Sequence, residues 1–227
     1  MTTTTLTPIK RPTFVPPLET SKSLTESQIK EAGRYIYAYG EAGFKTAMLI
    51  GSDLMKLGNS EQFKPLFRDH FISKVAMTNK VALADLNLAF RNPRHPQDME
   101  LMRSYTIRRC VESGILEEGL LHLCFVMGIV YYIFPSITDH EKTLLPEAIY
   151  DLRQANKILS NFLYGVDCLI VLGSSELAFA ARAMASPETK FIVLDQDRCF
   201  VEKLCLKEDL GIVTAPTHFV SKLNQFI

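Results

Sequence analysis

The sequence predicts an α + α/β protein, an N-terminal helical bundle followed by a small three-stranded parallel βαβαβ unit. Three observations predict it. From Cys168 onward two short, continuous, β-branched-rich runs, "CLIVLG" and "KFIVLD", flank an alanine-rich segment. Strands buried on both faces flank a crossover helix in this way. Before them, apolar residues recur at steps of three and four, the period of a helix with one buried face. Hydrophobic residues make up 47% of the 227 and charged residues 22%, which is globular composition rather than that of a disordered chain. The chain is expected to divide into an extended arm over 1–23, a helical domain over 24–165 and an α/β unit over 166–227.

The arm carries Pro8, Pro12, Pro16 and Pro17, which cannot sustain a helix. Thr25 and Gln28 form a T-x-x-Q capping box, and Ile29, Ala32, Ile36, Tyr39, Ala47, Ile50, Leu54 and Leu57 continue a helical stripe toward Gly58. A second helical region is expected over Glu61 to Phe90, with a break near Pro65, and a third from Asp98 to about Glu112. The run "GLLHLCFVMGIVYYIF", Gly119 to Phe134, has no formal charge. It is shorter than the roughly 20 residues a spanning helix needs, and Glu117, Glu118 and Pro135 flank it. The expectation is a buried core helix over Leu116 to Phe134. Pro146 opens the next helix, which runs to a C-terminal Gly165. Beyond it come "CLIVLG", a helix over Glu176 to Ala185, "KFIVLD", a helix over Arg198 to Asp209, "GIVTA", and a last helix over Thr217 to Phe226.

Lys+Arg and Asp+Glu both number 25. Zero net charge argues against a protein built to coat nucleic acid. A local basic stretch exists in Arg91, Arg94, Arg103, Arg108 and Arg109, with Tyr105 among them. The plainer reading is a solvated helix face with ion pairs to Glu100 and Glu112. The five cysteines, Cys110, Cys124, Cys168, Cys199 and Cys205, form no C-x-x-C pair and read as reduced thiols of a cytoplasmic protein. None of the five histidines stands at a metal-ligand spacing, so no metal site is expected.

In a βαβ crossover, ligands bind beyond the carboxyl ends of the strands. Gly173, Ser174 and Ser175 fall at the end of the first strand of this unit, and Asp195 ends the second. A glycine there permits a tight turn and close backbone approach, and the N–H groups of the following helix face a ligand. An acid about 20 residues on can accept hydrogen bonds from a ribose diol. Asp197 is a second candidate for that role.

"IVLGSSELAFAARAMA…KFIVLDQD" resembles the first half of the Rossmann-like fold of class I S-adenosylmethionine-dependent transferases, within them the nicotianamine-synthase-like branch. The resemblance implies that Gly173 to Ser175 meet the methionine part of that cofactor and Asp195 its ribose. The usual G-x-G is here Gly173-Ser174-Ser175, with Glu176 next, and a carboxylate beside a phosphate is unfavourable, which weighs against a dinucleotide and less against a cofactor carrying an amino group. Three strands also fall short of a full transferase sheet. The first expectation is therefore a non-catalytic interaction or regulatory protein with no cofactor. The alternative is a protein or subunit that binds S-adenosylmethionine or another adenosine ligand. Exposed sheet edges invite pairing, so a homodimer or a protein partner is expected, burying apolar surface around Val171, Ile192 and Ile212. Neither nucleic acid nor a membrane is expected as a partner.

Overall fold

The computed structural model describes residues 22–51, 60–68, 71–89, 105–136, 145–149, 151–173, 175–223 and 225. Its centre is one six-stranded sheet. The strands are β1 Thr46–Ile50, β2 Lys74–Thr78, β3 Val130–Phe134, β4 Cys168–Leu172, β5 Lys190–Asp195 and β6 Leu210–Val213. They lie in the order β3-β2-β1-β4-β5-β6, and every neighbouring pair is parallel. Among the described residues the helices are α1 Lys22–Glu41, α2 Lys64–Arg68, α3 Asn79–Ala89, α4 Ile107–Glu112, α5 Leu120–Val126, α6 Leu152–Leu163, α7 Glu176–Met184, α8 Arg198–Leu204 and α9 Pro216–Leu223.

Helices cover both faces, so the central strands are buried on each side. On one face Met48, Ile50, Met77, Ile170, Ile192 and Ile212 pack under side chains of α1, α2, α3, α5 and α9. On the other, Ala47, Leu49, Leu169, Val171, Phe191 and Val193 pack under α6, α7 and α8. Alternate residues of one strand thus enter two different cores, as the pleat requires. β1 and β4 are buried throughout.

This is an α/β Rossmann-like fold, and it corrects the expected bundle and three-stranded unit. Three strands stand where helices were read. The stripe from Ile29 to Leu57 contains α1 and then β1. Gly43, at φ +73°, turns the chain out of the helix, Phe44 N–H donating back to Tyr39 O at 2.9 Å. Thr25 lies inside α1, so it is not a cap. The region Glu61 to Phe90 holds a 3₁₀ turn over Ser60–Phe63, then α2, β2 and α3. The run Gly119 to Phe134 is α5 followed by β3. Gly128, at φ +69°, breaks it, after which the β-branched and aromatic "VYYIF" extends beside β2. Pro146 sits in a turn, and α6 begins after Asp151, whose carboxylate accepts the N–H of Arg153 at 2.8 Å. Gly165 follows α6 at φ +67°. The expected elements after Cys168 coincide closely with β4, α7, β5, α8, β6 and α9.

The arm lies outside the described residues as far as 21, and so do Arg91, Arg94, Arg103 and the expected helix start at Asp98. Val171, Ile192 and Ile212 are fully buried within the chain. They are therefore not the surface on which a second subunit would close. No helix among the described residues is long and apolar enough to cross a membrane.

Candidate functional site

The strand order reverses direction between β1 and β4. In such a sheet a crevice opens beyond the carboxyl ends of the two strands, where the flanking helices depart to opposite faces. The turns that floor it are knitted together by backbone. Gly51 N–H donates to Leu172 O at 2.8 Å, Gly173 N–H to Leu194 O at 2.8 Å, and Thr214 N–H to Asp195 O at 2.9 Å. β1, β4, β5 and β6 thus end level with one another.

Gly173 has φ +83°, a conformation that costs a side-chain-bearing residue free energy. A Cβ placed on it would lie 3.7 Å from Gly51 Cα and 3.7 Å from Pro216 Cγ. The missing side chain leaves a narrow cradle between the β1 turn, the β4 turn and the start of α9. Ser174 lies outside the described residues. Ser175 is the N-cap of α7, its hydroxyl accepting the N–H of Leu177 at 3.3 Å. The amino end of α7 is the end of a helix at which an anion is favoured.

Asp195 closes β5 and is 3% exposed. The register pairs Leu172 with Leu194, so Asp195 stands beside Gly173. Its Oδ1 accepts the N–H of Asp197 at 2.6 Å. Asp197 is exposed and caps α8, accepting the N–H of Cys199 at 2.9 Å. One buried and one exposed carboxylate are therefore fixed at the same strand end. The structure brings together Gly173, Ser175, Asp195 and Asp197. It adds Gly51, Thr214 and Pro216, which the sequence reading did not single out. A buried glycine turn beside a buried acid leaves the backbone open to close approach and sets a fixed hydrogen-bond acceptor next to it. Glu176 follows in the first turn of α7 but is exposed, so solvent screens its charge from an anion at the helix start.

Other features lie outside this crevice. A cavity of about 500 Å³ lies at the opposite, amino ends of β4 and β5, lined by Ser160, Tyr164, Asp167, Met184 and Glu188. Arg109 stacks its guanidinium on Tyr105 at 4.1 Å, and Arg108 pairs with Glu112 at 2.8 Å. Of the expected ion pairs, the one to Glu112 is present; Arg91, Arg94, Glu100 and Arg103 lie outside the described residues. The five cysteines are free. Burial pushes the Cys168 thiol up to about 12, so it packs rather than reacts. Among the described residues no group of three or more His, Cys, Asp or Glu is placed to hold a metal.

Sheet order and switch point define a doubly wound α/β domain. Residues 94–223 match the family described as "Arginine dihydrolase ArgZ-like, C-terminal, Rossmann fold". That is more than half of the chain, and the chain belongs to this family. It is 22% identical over 215 residues to the ornithine cyclodeaminase of Archaeoglobus fulgidus, covering 86% of this chain and 52% of that protein. It is 24% identical over 206 residues to the bifunctional arginine dihydrolase/ornithine cyclodeaminase AgrE of Nostoc sp., covering 82% of this chain and 29% of AgrE. The chain thus spans about half of the first relative and less than a third of the second. The crystal structure of the ternary complex of AgrE with ornithine and NAD+ superposes with a TM-score of 0.79 at 22% identity, over 91% of this chain and 33% of that one.

These findings correct three expectations. The family match replaces the resemblance to S-adenosylmethionine-dependent transferases. The relatives are named enzymes, which overturns the reading as a non-catalytic interaction or regulatory protein. The similar AgrE structure holds NAD+, which overturns both the expected lack of a cofactor and the S-adenosylmethionine alternative. The βαβ signature was real, but glycine turn plus strand-end acid is common to many nucleotide domains. It did not distinguish among them.

Proposed function

We propose that this chain is the dinucleotide-binding portion of an ornithine-cyclodeaminase-type enzyme, holding NAD across the carboxyl ends of its sheet. The observation that carries the proposal is the placement of Gly173, which ends β4 beside the β1/β4 switch point, next to Asp195 at the end of the neighbouring β5. Membership of the ArgZ-like family and the likeness to AgrE support it.

Each residue has a physical role in this reading. Gly51 and Gly173 let the diphosphate approach backbone without a side chain between. The N–H groups opening α7 face its charge, and Ser175 fixes that helix start. Asp195 accepts hydrogen bonds from the adenosine ribose diol, its orientation held by Asp197 N–H. When bound, the nicotinamide supplies reversible hydride acceptance. A deamination that closes a ring leaves the substrate with no net oxidation, so the cofactor is returned unchanged. The substrate proposed is a diamino acid of the ornithine type, after the names of the relatives.

Isothermal titration of the protein with NAD tests the reading. Saturable binding is expected, with thermal stabilisation of about 2.7 kcal/mol at a hundredfold excess over the dissociation constant. Ornithine added with NAD should then release ammonia. Absence of any NAD binding would refute the proposal. The reading includes association with a second copy or a protein partner, since β3 and β6 are sheet edges with Val130 and Val213 exposed. Light scattering would show a mass above 25.6 kDa.

A further inference from the structure

We infer that the cavity at the amino ends of β4 and β5 is a second small-molecule site, one that takes an organic cation: a guanidinium or ammonium group on a short methylene chain. It lies at the far end of the sheet from the crevice and does not depend on the dinucleotide reading. The five residues of β4 separate Asp167 in the cavity from Gly173 in the crevice, roughly 20 Å of extended chain.

The cavity, of about 500 Å³, is within the size range of small-molecule sites. Its walls are the carboxyl ends of α6 and α7 and the turns that follow them. The Thr189 hydroxyl donates to Val166 O at 3.0 Å, and Lys190 N–H donates to Asp167 O at 2.9 Å. The two turns are therefore joined at their base, and the sheet fixes the floor between them. Asp167 is half-buried there, its Oδ2 accepting the backbone N–H of Lys45 at 2.9 Å. Glu188 stands on the opposite turn and is exposed.

Charge selects the ligand. The charged side chains that line the cavity are Asp167 and Glu188, both acidic. Two helix carboxyl ends add partial negative charge on the same side. Cations stand nearby too. Lys74 Nζ donates to Phe162 O at 3.2 Å and Tyr164 O at 3.5 Å. Arg182, in the last turn of α7, is turned to Leu204 O and Asp209, and Lys190 Nζ lies over the Tyr35 ring on the other face of the sheet. Lys45 Nζ reaches the rim at Gly165, 3.8 Å from where a Cβ would stand, and offsets one acid at most. The cavity therefore disfavours an anion and favours a cation. A metal ion is not the fit, since among the described residues no group of three or more His, Cys, Asp or Glu is placed to hold one. The lining also offers carbon, in Leu163, Met184 and the ring of Tyr164, which is 82% exposed. An open ring face and a thioether suit an organic cation and its methylenes.

The test is titration of the whole protein with n-butylguanidinium and with its neutral isostere n-butylurea, followed by NMR chemical shifts and calorimetry. The guanidinium should bind saturably and at least tenfold more tightly than the neutral compound. Glu188→Gln and Tyr164→Ala should each weaken it several-fold. Their denaturation midpoints should match the wild type, since both side chains are exposed. Saturating NAD should leave the affinity for the guanidinium unchanged. No saturable binding, or equal binding of the neutral isostere, would overturn the inference. So would unchanged affinity in both variants, or displacement of the cation by NAD, which would place it in the crevice instead. The dinucleotide reading stands or falls separately, on titration with NAD alone.

Discussion

A Cβ added to Gly173 would lie 3.7 Å from the Cα of Gly51. The two glycines end β4 and β1, the strands on either side of the switch point, and their turns meet without side chains between them. Gly173→Ala therefore has two effects. The left-handed backbone at φ +83° costs a non-glycine residue about 1–2 kcal/mol. The new methyl also fills the gap into which a diphosphate would settle. The expected outcome is a lowered urea midpoint together with at least a tenfold loss of NAD affinity. Calorimetry and a denaturation curve on the same preparation separate the two effects.

Asp85 gives a pH dependence. It is 5% exposed and accepts the N–H groups of Leu120 and Leu121 at 2.8 and 2.9 Å, holding the start of α5 against α3. Burial outweighs those two hydrogen bonds and raises its pKa from 3.8 to about 6. The native state thus binds the proton more tightly than the unfolded chain. The associated stabilisation is fully present below about pH 3.8 and is lost as pH rises through about 6. A shift of about two units corresponds to about 3 kcal/mol. Asp85→Asn should remove this component. Between pH 5 and 7.5 the wild type should lose stability relative to the variant, measured as the difference in urea midpoints. Parallel pH profiles would refute the assignment.

The carboxyl-terminal half of the fold was legible because its strands and helices announce themselves separately. "CLIVLG" and "KFIVLD" are bounded by glycine or charge, and alanine marks the helix between. The amino-terminal half hid equivalent signals. "TAMLIGS" has the same apolar run closing on Gly-Ser as "CLIVLGS". Yet Ala47 and Ile50 also continue the three- and four-residue steps of α1, and the helical stripe absorbed them. "HLCFVMGIVYYIF" failed likewise, since a buried helix and a buried strand are equally apolar. Only Gly128 in its middle marked the boundary. Missing β1 concealed Gly51 and the switch point, and so half of the site. Gly173, Ser175, Asp195 and Asp197 stood out as candidates because their spacing lies within one crossover.

Gly211 lies in β6, where β6 passes under α8. A Cβ there would lie 2.6 Å from Val201 Cγ1 and 3.0 Å from Cys205 Sγ. Both are short side chains anchored in or just beyond α8, so neither can move aside without shifting the helix. Gly211→Ala should destabilise by about 1–3 kcal/mol, as overpacking does. Dinucleotide affinity should change little once the protein is folded. A denaturation series checks the first statement and calorimetry the second.

Arg182 and Asp209 join α7 to the turn before β6. The guanidinium lies over the Phe191 ring at 3.3 Å. It donates to Leu204 O at 3.1 Å and pairs with the Asp209 carboxylate. Asp209 in turn accepts the N–H groups of Phe191 at 2.9 Å and Leu206 at 2.7 Å. Its side chain is 4% exposed and that of Arg182 17%, so little water could replace either partner. Removing one member leaves the other charged and buried, which costs about 3–5 kcal/mol. Arg182→Ala should approach that loss. Arg182→Lys should recover only part of it, because an ammonium cannot stack flat on Phe191 while reaching both Leu204 O and Asp209. Arg182→Met combined with Asp209→Asn removes both charges, and should be less damaging than the sum of the two single changes. Urea denaturation of the four proteins at pH 7 measures the coupling. Additive losses would show that the pair is not a unit.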